Sequence, residues 1–239
     1  MLYKILLENI LFLDIETVPE TQLYSNLTEE KQELFADKTV YQRREDFTAE
    51  EFYDKAGIWA EFGKIICISV GYFVMSNKNR SFRITSFSGE ESTLLHSFKK
   101  LIEEHFYKSQ HLLCAHNGKE FDFPYIARRM IINNISLPEK LNLFGKKPWE
   151  VPHLDTLELW KFGDYKHYSS LKLLTNILNI PSPKQDIDGS QVADVYYKEK
   201  NLPRIIKYCE RDTLAVAQLL LRFRNEPLLT EDQITVVKT

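Results

Sequence analysis

The sequence predicts an α/β fold: a mixed five-stranded sheet flanked by helices. Three observations lead there. The stretches 10–17, 64–75 and 81–89 are short, apolar and rich in β-branched and aromatic residues. Strand-like and helix-like patterns alternate from about 94 to 160, and the pattern from 168 to 225 is helical. A three-strand meander followed by strand–helix alternation gives a sheet that is part antiparallel and part parallel, with helices on its faces.

Taken in order, 10–17 reads as a buried strand. The stretch 20–62 is highly charged, with short helical pieces such as "TAEEFYDKA", where Thr48 and Glu51 have capping-box spacing. It is expected to be a surface insertion, so that 1–239 forms a single domain carrying a charged insertion at about 20–62. "KIICISVGYFVM" and "SFRITSFSG", separated by "SNKNR", read as a hairpin. Leu94, Leu95, Phe98, Leu101, Ile102 and Phe106 lie on one helical face. "HLLCAHN" is a short buried strand ending in polar residues. "FDFPYIARRMIINN" is a helix that tolerates Pro124 in its first turn. "VPHLDTLELW" is expected to supply the fifth strand, with helices following at roughly 168–179, 189–198 and 202–225.

Composition narrows the function classes. The N-terminal run "MLYKILLENILFLDIE" is interrupted by Lys4, Glu8 and Asp14, so neither a signal peptide nor a membrane span is expected; a cytoplasmic protein without a membrane partner is. Cys67, Cys114 and Cys209 form no C-x-x-C pair and read as small core residues of a reducing compartment. The net charge of −3 does not favour a non-specific duplex binder, but residues 1–116 balance at −5 and residues 117–225 at +4. The second half therefore suits a phosphate-bearing ligand. The eight glycines are scattered and build no phosphate-cradling loop.

Three polar constellations carry chemistry. In "FLDIETVP", strand alternation places Phe12, Asp14 and Glu16 on one face and Leu11, Leu13 and Ile15 on the other. Acidic-x-acidic triplets are not rare here: composition alone yields about five, and four occur. What distinguishes Asp14 and Glu16 is their place at the end of a buried strand. Either that end reaches solvent, or cations neutralise the pair. In "AHNGKEFDFPYIARR", Asn117 leaves a buried strand and Asp122 opens a helix, where it suits capping as well as ligand binding. In "RIIKYCERDTLAVAQLLLRF", Tyr208 and Asp212 share a helix face. If the three stretches converge, Asp14, Glu16, Asp122 and Asp212 are the hard oxygen ligands that Mg²⁺ or Mn²⁺ prefers.

"FLDIET", "HNGKEFDFPYIARR" and "YCERD" resemble the three exonuclease motifs of the DEDD (DnaQ-like) superfamily, whose fold is ribonuclease H-like. The Y-x-x-x-D of the last motif is similar to the DEDDy branch, which includes the proofreading domains of family B DNA polymerases. "SSLKLLTNILNIPSPKQDIDGSQV" resembles in particular the stand-alone bacterial predicted 3′–5′ exonucleases related to those domains. The resemblance runs from about residue 10 to 225. It implies two divalent ions, Mg²⁺ or Mn²⁺. Asp14 would bridge both, Glu16 and Asp212 would share the tighter site, and Asp122 would support the other mainly through water. Tyr208 would hydrogen-bond the attacking water; a phenol of pKa about 10 is a poor general base at neutral pH. Thr17 and Asn117 match positions that contact the terminal nucleotide. Phe121 is a candidate for stacking on a base as well as for the core, Lys184 for a phosphate contact, and Asp155 for a supporting position; His167 reads as a loop residue. The implied activity is removal of nucleoside 5′-monophosphates from a single-stranded or frayed 3′ end, DNA favoured, with any polymerase or repair partner acting in trans. An RNA-processing 3′ exoribonuclease and an inactive 3′-end binding module are the alternatives.

Overall fold

The computed structural model describes residues 2–43, 47–76, 79–164, 168–181 and 187–237. Its elements run β1 (Ile10–Pro19), α1 (Glu29–Arg43), α2 (Ala49–Phe52), β2 (Gly63–Ser76), β3 (Asn79–Ser88), α3 (Glu91–His105), β4 (Leu112–Ala115), α4 (Asp122–Ile132), β5 (Leu154–Asp155), α5 (Thr156–Lys161), α6 (Leu171–Ile177), α7 (Val192–Tyr197), α8 (Leu202–Phe223) and β6 (Ile234–Val236). The strands form one sheet in the order β5-β4-β1-β2-β3-β6. β1 pairs antiparallel with β2, and β2 with β3; β1 with β4, β4 with β5 and β3 with β6 are parallel.

The sheet is mixed and flanked by helices, as its sequence pattern predicts, but it has six strands. The sixth, β6, adds three residues to the outer edge of β3. The fifth is shorter than "VPHLDTLELW" suggested. β5 holds two residues, because the Asp155 carboxylate then accepts the N–H groups of Leu157 and Glu158 and starts α5.

β1 divides the core as its alternation dictates. Leu11, Leu13 and Ile15 pack with Leu94, Leu95 and Phe98 of α3 and Ile126 and Met130 of α4. Ile10 and Phe12 pack on the opposite face with Phe73, Phe82 and the α8 residues Val216, Leu220 and Leu221. The face that carries Asp14 and Glu16 is thus the face that α8 covers.

The charged stretch 20–62 builds a small aromatic cluster of its own around Phe35, which Phe52, Tyr53 and Phe62 surround. Thr48 and Glu51 form the expected capping box. Two hydrogen bonds fasten its last turns to α4: the Tyr125 hydroxyl donates to the Gly57 carbonyl at 2.8 Å, and Arg129 donates to the Ala60 carbonyl at 2.8 Å. Between α3 and α4, Glu91 and Arg129 form a buried ion pair, and Glu91 Oε1 also accepts the Ile65 N–H at 2.7 Å. Among the described residues, no helix is long and apolar enough to cross a membrane.

Candidate active site

The site grows from the carboxyl end of β1. The ladder between β1 and β4 stops at Phe12–Cys114, while β1 continues to Pro19. The Ile15 N–H, beyond that ladder, is taken by the Asp122 carboxylate at the start of α4. A bulge between Glu16 and Thr17 in the β1–β2 register then ends the regular alternation. Asp122 is 4% exposed and Glu16 7%, so these are interior carboxylates and not a solvated strand end. Asp14 is partly exposed, but its Oδ2 is fully buried and has no hydrogen-bond partner.

α8 crosses above β1 and β2 and closes the site. Its Thr213 hydroxyl donates to the Ser69 carbonyl at 3.3 Å, and the Cys209 thiol donates to the Asp14 carbonyl at 3.3 Å. These contacts hold one register of helix on sheet, and in that register Tyr208 and Asp212 face the carboxylates. The Tyr208 hydroxyl is in hydrogen-bond contact with Asp212.

The four acids act on one another. Burial, then the charges of Asp212 and Asp122, push Asp14 well above the usual carboxylate range. Burial, then Asp14 and Asp212, do the same to Glu16. Burial drives Asp122 up to about 7, although its hydrogen bonds oppose the shift. Burial, then Asp212, Glu16 and Asp14, raise the Tyr208 phenol, so it stays protonated. Such a cluster of acids, with one buried oxygen lacking a partner, fits divalent cations held by hard oxygen ligands. Ligand atoms of Asp14, Glu16 and Cys209 all lie within 4.8 Å of one another.

The loop between β4 and α4 is braced from β5. Asp155, 2% exposed, accepts the Asn117 N–H through Oδ1 and the Lys119 N–H through Oδ2, both at 3.0 Å. Asn117 adopts a left-handed conformation at φ 62°, which Asn tolerates better than most residues. A Cβ on the next residue, Gly118, would stand 2.4 Å from the Ala115 Cβ, so the turn closes only with glycine there. His153 holds the neighbouring strands: its Nδ1 accepts the Leu113 N–H, and its Nε2 lies 2.7 Å from the Lys140 carbonyl. Burial keeps this imidazole neutral by lowering its pKa to about 4.

The sequence-derived positions separate into groups. Asp14, Glu16, Asp122, Tyr208 and Asp212 lie in one interacting cluster. Thr17 is beside it, its side chain hydrogen-bonded to Tyr125. Asn117 shapes the loop that leads to Asp122. Phe121 packs against the core, with its ring 5.3 Å from that of Tyr125. Lys184 and His167 lie outside the described residues.

Sequence reasoning missed the nearness of the cysteines. All three are buried and free, as expected, but Cys67 lies opposite Glu16 in the β1–β2 register and is a near neighbour of Cys209. The adjacency of Cys209 to Tyr208 was the available signal. Cys67 gave none before the strand register was known.

Comparison with known proteins places the chain in a family. Residues 58–234 match the model of a family described as predicted 3′–5′ exonucleases related to the exonuclease domain of PolB. Asp14 and Glu16 precede the matched stretch. A DNA polymerase from Pyrococcus glycovorans is 24% identical over 190 residues, covering 72% of this chain and 24% of the polymerase. The structure of the family B DNA polymerase from the hyperthermophilic archaeon Pyrobaculum calidifontis superposes with a TM-score of 0.55 at 15% identity, covering 89% of this chain and 24% of that one. The chain thus spans about a quarter of the length of both polymerases. By its family match, the chain belongs to the predicted 3′–5′ exonucleases related to the exonuclease domain of PolB.

Proposed function

We propose that this chain is a metal-dependent exonuclease that removes nucleoside 5′-monophosphates from single-stranded or frayed 3′ ends, with DNA favoured, and that 1–239 acts as one domain. The observation that carries the reading is the mutual electrostatic influence of Asp14, Glu16, Asp122 and Asp212 around a buried, unpartnered Asp14 Oδ2. Asp14, Glu16 and Asp212 would hold one divalent ion, and Asp14 and Asp122 a second. When bound, two Mg²⁺ or Mn²⁺ ions would offset the acids, make water a stronger nucleophile and stabilise the leaving oxygen.

The chain's own groups supply the rest. The protonated Tyr208 phenol donates a hydrogen bond that orients the attacking water; its raised pKa makes it unsuited to act as the base. Water attacks the last phosphorus, the bond to the penultimate 3′ oxygen breaks, and the mononucleotide departs. Thr17, beside Glu16, and Asn117, at the β4–α4 loop, would contact the terminal nucleotide. Arg204, Lys207 and Arg211 line a cleft of about 290 Å³ on α8, the helix that carries Tyr208 and Asp212. That basic cleft suits the phosphates of the strand further from its end.

The test is shortening of a 5′-labelled oligonucleotide with Mn²⁺ or Mg²⁺. A ladder of products with nucleoside 5′-monophosphate release is expected, absent with chelator. Binding without shortening would leave a 3′-end binding module, and a ladder on RNA alone would make the chain an exoribonuclease.

A further inference from the structure

The acidic cluster contains a donor that hard-metal chemistry does not call for. Cys209 Sγ, an Asp14 carboxylate oxygen and a Glu16 carboxylate oxygen lie within 4.8 Å of one another. The buried Asp14 Oδ2 lacks any partner, and Cys67 is a near neighbour of Cys209 on the β2 side. One sulfur and two carboxylates close enough to share one ion match the ligand types of a site for a soft or borderline cation.

We propose that Cys209 makes this centre a trap for thiophilic divalent cations, Zn²⁺ or Cd²⁺, which Asp14, Glu16 and the Cys209 sulfur bind together at the expense of Mg²⁺ or Mn²⁺. The inference rests on reading the acidic cluster as a metal centre. On binding, the sulfur–metal bond forms, the thiol proton passes to solvent, and no oxidation occurs. A thiolate binds Zn²⁺ and Cd²⁺ far better than Mg²⁺ or Mn²⁺. Cys209 is therefore a metal-selecting residue, and it would render the protein sensitive to zinc that an all-oxygen site would tolerate.

The test titrates CdCl₂ into the reduced protein, once stripped of metal and once loaded with Mn²⁺, and follows the thiolate-to-cadmium charge-transfer absorption, with bound Mn²⁺ measured by electron paramagnetic resonance. Wild type is expected to show the band, to release a proton and to lose its bound Mn²⁺ as Cd²⁺ is added. Cys209→Ser should lose the band while still binding Mn²⁺, and Cys67→Ser should keep it. Cadmium NMR on the wild-type protein reports sulfur ligation even if a variant fails to fold. Mn²⁺ binding with no band in wild type, or a band that persists in Cys209→Ser, overturns the thiol assignment and leaves the exonuclease reading standing. Failure of wild type to bind either ion overturns the metal centre itself.

Discussion

Asp14→Asn keeps the size of the side chain and removes one charge from a cluster whose members repel one another. Relief of that repulsion should make the metal-free variant unfold at a higher temperature than wild type at pH 8, even as activity is lost. Loss of an outer-shell contact typically lowers metal affinity or activity about 10–100-fold, so loss of a direct ligand should exceed that; single-turnover kinetics measure it. Tyr208→Phe separates orientation from base catalysis. With the phenol held protonated, the variant should lower kcat without shifting the pH–rate profile, whereas loss of a rise in rate with increasing pH would make Tyr208 a titrating base. Asp14/Glu16 and Tyr208/Asp212 stood out in the sequence by a period, two along a strand and four along a helix, and Asp122 by its place at the start of a helix. The tie from Asp155 to the Asn117 and Lys119 N–H groups was not legible, because it joins segments more than thirty residues apart.

At the scale of elements, the site depends on how α3 and α4 are fixed beneath β1. The Glu91 carboxylate binds Arg129 and also satisfies the Ile65 N–H, beyond the point where β3 leaves β2. Glu91→Ala would leave a buried guanidinium and a buried N–H without their partner. The expected loss is about 3–5 kcal/mol of stability, read by urea denaturation; a loss below about 1 kcal/mol would show that water replaces the carboxylate there. The hairpin and the amphipathic helices were readable because their patterns are local. The end of β5 was not: Leu154 and Asp155 run directly into an apolar helical stretch, and the change of element is made by a side-chain cap rather than by a break in hydropathy. β6 was missed for a different reason, since its three residues pair with β3 across about 150 positions of chain. The insertion had an evident composition, but its placement is set by Tyr125 and Arg129 reaching back from α4.

At the scale of the whole molecule, the acids couple metal, pH and stability. In the metal-free protein, Asp14, Glu16 and Asp122 hold protons that the unfolded chain releases near pH 4. Their contribution to stability is therefore complete below that pH and is lost as pH rises, for Asp122 through about 7. Mn²⁺ should reverse the loss. At 100 times its Kd it contributes about 2.7 kcal/mol, or roughly 5–10 °C in Tm for a chain of this size, at pH 8 and much less at pH 5. A Tm that gains equally at both values would place the ion elsewhere. The basic cleft on α8 has its own signature: Lys207→Ala should weaken single-strand binding and lower the salt slope by about 0.7 for one lost phosphate contact. An unchanged slope would put the strand on another face. The central claim is that Asp14, Glu16, Asp122 and Asp212 together hold the ions beside the phosphate that is cut. A crystal structure with Mn²⁺ and a nucleoside 5′-monophosphate, with the ions located by anomalous scattering, measures this most directly. Two Mn²⁺ peaks bridged by Asp14 are expected, with Tyr208 pointing at the phosphate; Mn²⁺ bound away from Asp14, or carboxylates that do not close around it, would contradict this arrangement.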